Sequence, residues 1–96
     1  MRSLLLFFAI FFQPIVHDPI AAIDDEINKL KQGRIHARLE EDIAGREADR
    51  YAATNDWTHY RQAMQKQEHF RRQIRAYDAR ILALEKQKIS LQTKKS

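Results

Sequence analysis

From Trp57 onward the chain repeats every seven residues in two offset sets. Tyr60, Gln67, Ile74, Ile81 and Lys88 form one set; Ala63, Phe70, Tyr77, Leu84 and Leu91 form the other, three residues further on. A 3,4 alternation holds one face of an α-helix against a partner helix, so the pattern predicts a coiled-coil-like seam with a polar Gln67 inside it. Earlier in the chain, Ile20, Ile23, Ile27 and Leu30 also step by three and four. Beyond Gly33 the apolar stripe shifts: Ile35, Leu39 and Ile43 step by four, and Ala44, Ala48, Tyr51 and Ala52 carry it on. Gly33 and Gly45 each cost about 1 kcal/mol against Ala in a helix interior, which predicts a helix with two weak points.

Between the two patterns stands Thr54-Asn55-Asp56, three cap-type residues, any of which can accept a bond from the free N–H groups of a helix starting at Trp57. The segment Tyr51–Ala63 resembles the helix–turn–helix junction of tetratricopeptide-like repeats, but it occurs once and a solenoid needs about three copies. The expected fold is all-α: an antiparallel two-helix hairpin, with helices over 19–53 and 56–93 and a turn near 54–56. A turn at Asn55 places Leu30 near Ile81, and Ile43 near Gln67 or Phe70.

Charge supports the pairing. Residues 23–56 carry six basic and nine acidic groups, whereas residues 57–96 carry ten basic and three acidic. The second arm is left with a basic surplus, of which Arg71, Arg72 and Arg75 are the candidate face. Eighteen large apolar residues lie between Ile23 and Leu91, and two helices cannot bury them all because each has one neighbour. Ile35, Leu39, Leu82 and Ile89 fall off the main seams and predict a second apolar strip. A protein partner or a second copy of the chain would complete the fold there.

The first residues read differently. Arg2 precedes an unbroken apolar run from Leu4 to Phe12, far below the roughly 20 residues of a bilayer-spanning helix. That length fits the apolar region of a secretory signal. Pro14 and Pro19 are expected to keep the following chain extended, with Ile20-Ala21-Ala22 as the cleavage site. The domain division is then 1–22 for the signal and 23–96 for the hairpin, and the location periplasmic or secreted. The alternative is an uncleaved apolar segment that anchors the chain in the inner membrane.

Candidate chemistry is sparse. With no Cys there is no thiolate metal site, disulfide or cysteine nucleophile. His17, His36, His59 and His69 lack the one-face spacing of metal ligands: His59 and His69 are ten residues apart, roughly 80° different in direction. The Ser residues beyond the leader, Ser90 and Ser96, lie at the chain's end, and no Gly-rich loop could cradle phosphate. The sequence therefore predicts no catalytic residues, no cofactor, no metal and no small-molecule substrate. The basic arm would suit an anionic membrane surface or, as a lesser alternative, nucleic acid.

Ile15-Val16-His17-Asp18-Pro19 followed by Ile27-Asn28-Lys29-Leu30-Lys31-Gln32 resembles the mature start of the periplasmic minor-pilus, or conjugal transfer, proteins of type IV secretion. That resemblance implies an exported helical protein working through protein contacts at a pilus tip. Taken together, the sequence predicts an exported, non-enzymatic helical binding or assembly component of a bacterial envelope complex, in secretion or conjugation. The alternatives are a membrane-anchored periplasmic coiled coil, as in phage spanins, and a basic helical module for nucleic acid.

Overall fold

Asp18 starts the first helix: its carboxylate accepts the Ala21 N–H at 3.0 Å, satisfying one of the donors a helix start leaves free. Pro19 follows as the first helical residue, where its missing N–H costs nothing. The computed structural model describes residues 18–95, and these form two helices, α1 (Pro19–Ala53) and α2 (Trp57–Lys95), packed antiparallel. The apolar run Leu4–Phe12, with Arg2, Pro14 and His17, lies outside the described residues. Ile20-Ala21-Ala22 lies within the first turn of α1, so this stretch is helical and not the extended segment expected after Pro19.

The turn is built by three residues with separate roles. Asn55 adopts the left-handed conformation (φ 59°), which Asn tolerates better than most residues with a Cβ. Reversing the chain there lets the Asp56 N–H reach the Tyr51 carbonyl at 2.9 Å and the Asn55 N–H reach that of Ala52 at 3.1 Å. These two bonds are the Schellman pattern that closes a helix C-terminus. The Thr54 hydroxyl donates to the Tyr51 carbonyl at 3.1 Å. Asp56 then begins α2, accepting the His59 N–H at 3.3 Å. Of the three candidate caps, Asp56 is the one used.

The α2 seam is the one its sequence predicts: Ala63, Ile81 and Leu84 are buried, and Tyr60, Gln67, Phe70, Ile74, Tyr77, Lys88 and Leu91 partly so. The α1 seam differs from expectation. Its inward positions are Ile23, Ile27, Leu30, Arg34, Ala37, Glu41, Ala44, Ala48 and Tyr51, an uninterrupted 3,4 alternation. There is no slip after Gly33; small and charged residues simply continue the seam. Ile43 is correspondingly 38% exposed, and it is Gly45 whose backbone the Gln67 side chain approaches. Leu30 does pack against the cluster containing Ile81.

Burial is uneven along the hairpin. Ile23, Ile27, Ile81 and Leu84 form an aliphatic cluster far from the turn, with Leu30 and Leu91 against it. Nearer the turn the buried residues are Ala37, Ala44, Ala48 and Ala63. Small residues on α1 are needed there because α2 offers Tyr60, Phe70, Ile74 and Tyr77 at those levels, and facing layers must alternate large with small.

Four ion pairs cross between the helices: Lys88–Asp24 at 2.7 Å, Arg80–Glu26 at 3.1 Å, Arg34–Asp78 at 2.8 Å and Arg71–Glu41 at 3.0 Å. Three join a base of α2 to an acid of α1, as the charge split predicts. Exposed pairs contribute only about 0.2–1 kcal/mol each, so their main use is register. Sliding α2 by one heptad sets Glu41 level with Asp78, or Arg34 level with Arg71.

Candidate interaction surface

Leu39 lies two residues from each of the seam positions Ala37 and Glu41. At 100° per residue it points almost directly away from α2. Ile35 and Ile43 stand one turn to either side, giving a row of three aliphatic side chains along the back of α1. Ile35 is 57% exposed and Leu39 56%. On α2, Leu82 and Ile89 stand seven residues apart and are 53% and 61% exposed. The four expected residues therefore belong to two rows on different helices, and Ile43 joins the first of them.

Trp57 and Met64 are also exposed and seven residues apart, on the turn half of α2. Trp57 meets Tyr60 edge-on, with ring centroids 5.5 Å apart. A shallow groove runs beside Met64, between Tyr60 and Gln67 of α2 and Gly45 and Ala48 of α1. Sequence reasoning treated Ile43 as seam and Trp57 only as a marker of the turn. The exposure of Ile43 follows from the heptad of α1, which is hidden among Ala, Arg and Glu.

The arginines are more constrained than their number suggests. Arg71 holds Glu41 across the seam, while Arg72 (3.6 Å) and Arg75 (3.2 Å) share the carboxylate of Glu68. The candidate basic face thus carries three guanidiniums already engaged with two carboxylates. Arg61, Lys66, Lys86 and Lys94 have no ion pair among the described residues, but they are spread along α2.

The histidines do not converge. His59 Nδ1 lies 2.7 Å from Asp56, and its ring stacks on Tyr51 with centroids 5.1 Å apart. His69 lies 3.2 Å from the Gln73 amide and edge-on to Phe70. His36 is exposed on α1. Among the described residues no group of three or more His, Asp or Glu side chains is placed to hold a metal ion, and no helix is long and apolar enough to cross a membrane.

With this geometry, the molecule is an all-α helical hairpin whose most distinctive surface is a set of outward aliphatic rows. No protein-family model, curated protein or solved structure gives a significant match to the chain.

Proposed function

We propose that this chain is an exported, non-enzymatic helical assembly component of a bacterial envelope complex, acting through protein contacts made by the outer faces of its hairpin. The observation that carries this reading is the exposure of Ile35, Leu39, Leu82 and Ile89, each more than half accessible although the chain has large apolar residues to spare. Burying one such side chain in an interface is worth about 1.5–3 kcal/mol, a gain the isolated hairpin forgoes at each position. The short apolar run after Arg2 supports export.

The test is site-specific photocrosslinking in cells, with the reactive residue at Leu39 or at Leu82. Discrete adducts of defined mass at these positions, and none at exposed Gln62 on α2, are expected. No adduct at any position would sink the assembly reading.

The start of α1 favours a second reading, an envelope-anchored coiled coil. Cleavage after Ala22 would remove the Asp18 cap, worth about 1 kcal/mol, and the first turn with it. Intact-mass measurement on protein expressed with a working export pathway decides between the two. A product beginning at Ile23 supports release, and a full-length product in the membrane fraction supports the anchor.

A further inference from the structure

The back of α1 is self-complementary in an antiparallel sense, and we propose that it docks on the same face of a second copy, with Leu39 at the two-fold axis. This inference rests on the assembly reading and names its partner.

Ile35, Leu39 and Ile43 form an i, i+4, i+8 ridge. Two such ridges interdigitate when the helices cross at about −50°, the commonest way helices pack in globular proteins. A two-fold axis at Leu39 sets Leu39 against its counterpart and Ile35 against the second copy's Ile43. Charge follows the same centre. Residues 29–38 carry Lys29, Lys31, Arg34 and Arg38 with no acid, whereas residues 40–49 carry Glu40, Glu41, Asp42, Glu47 and Asp49 with Arg46 alone opposing them. Antiparallel docking therefore lays the basic segment of each copy along the acidic segment of the other, with Arg38 level with Glu40, Lys31 with Glu47, and Lys29 (paired with Asp25 in its own helix) with Asp49.

Among the described residues Lys31, Arg38, Glu40, Glu47 and Asp49 make no ion pair, so they are available to a partner. Parallel docking would instead set the basic segment 29–38 beside its own copy and the acidic segment 40–49 beside its own copy. The outer face of α2 does not offer the same match, because residues 57–96 carry ten basic groups against three acidic and would meet their own surplus. An isologous contact of this kind closes after two copies and does not propagate.

Sedimentation equilibrium of the full chain tests the proposal, with circular dichroism confirming that each variant keeps its helices. The wild type should dimerise reversibly. Leu39→Asp should weaken the dimer at least tenfold, and Leu82→Asp should not. Arg38→Glu and Glu40→Arg should each weaken it, and mixing the two variants should restore association, since each then supplies the charge the other lacks. The chain has no native cysteine, so Leu39→Cys should form an interchain disulfide far faster than Leu82→Cys.

A wild type that stays monomeric at high concentration overturns the proposal, as does a dimer indifferent to Leu39→Asp. If Leu39 crosslinks in cells to a different protein while the pure chain is monomeric, the second-copy inference falls and the assembly reading stands.

Discussion

A methyl group added at Gly33 would lie 2.8 Å from the Tyr77 ring, with two ring carbons and the hydroxyl oxygen within 2.9 Å. One added at Gly45 would meet the end of the Gln67 side chain at 2.8 Å. The two glycines thus mark close approaches of the opposite helix, where propensity alone suggests weak points. Their substitutions should differ. An amide at the end of a flexible side chain can swing away, so Gly45→Ala should gain about 0.5–1 kcal/mol of helix propensity and raise the melting midpoint. A ring seated in the seam has less room, so Gly33→Ala should lower the midpoint, and Tyr77→Leu in the same chain should recover part of the loss. Equal effects at the two positions would contradict this account. Arg34 is the other unusual seam residue: its Nη1 reaches Asp78 at 2.8 Å, but its Nε is buried without a hydrogen bond. A buried donor left unpaired costs about 1–3 kcal/mol, and hydrophobic replacement of such ionic groups is often stabilising. Arg34→Leu should therefore raise the midpoint in thermal denaturation, and a fall would show that register needs the Asp78 pair.

The turn and the two helices were legible in the sequence to different degrees. Thr54-Asn55-Asp56 announced the reversal because short polar side chains there can cap one helix and start the next. Asp56→Ala should cost about 1 kcal/mol by removing the α2 cap, while Asn55→Gly should be neutral or mildly stabilising, because glycine takes a positive φ freely. Chemical denaturation measures both. The α2 seam could be read outright, since Tyr60, Phe70, Ile74, Tyr77, Ile81 and Leu84 are large and evenly spaced. The middle of the α1 seam could not. Ala44, Ala48 and Tyr51 lie inward, as the apolar stripe predicts. Between Leu30 and Ala44, however, hydrophobicity drew the eye to Ile35, Leu39 and Ile43, whereas the inward residues there are Arg34, Ala37 and Glu41, chosen for size and charge against α2. The same misplacement explains the candidate surface: Ile35 and Leu39 were recognised as off-seam, but Ile43 beside them was not. Register offers a direct check. Ala48→Cys with Ala63→Cys should link within one chain, and Ala37→Cys with Ala63→Cys should not, because a disulfide tolerates Cα separations only up to about 7 Å.

Across the whole hairpin, the largest buried aliphatic groups lie at the end opposite the covalent turn, and alanines fill the length between. A zipper of uniform strength loosens first at its free tips. Here those tips are held by Ile23, Ile27, Ile81 and Leu84, with Lys88 on Asp24, so both ends of the fork are clamped and the midsection is the compliant part. Native-state hydrogen exchange should show it: amides around 34–48 and 64–75 should exchange faster than those around 23–30 and 81–88. Protection that falls steadily from the turn to the tips would refute it. The motion implied is a bulge, in which the helices part at the middle while both ends stay joined. Leu39 lies over that middle, so a body docked there would act as a splint across the softest span, and its first measurable effect would be slower exchange at residues it never touches on the opposite helix.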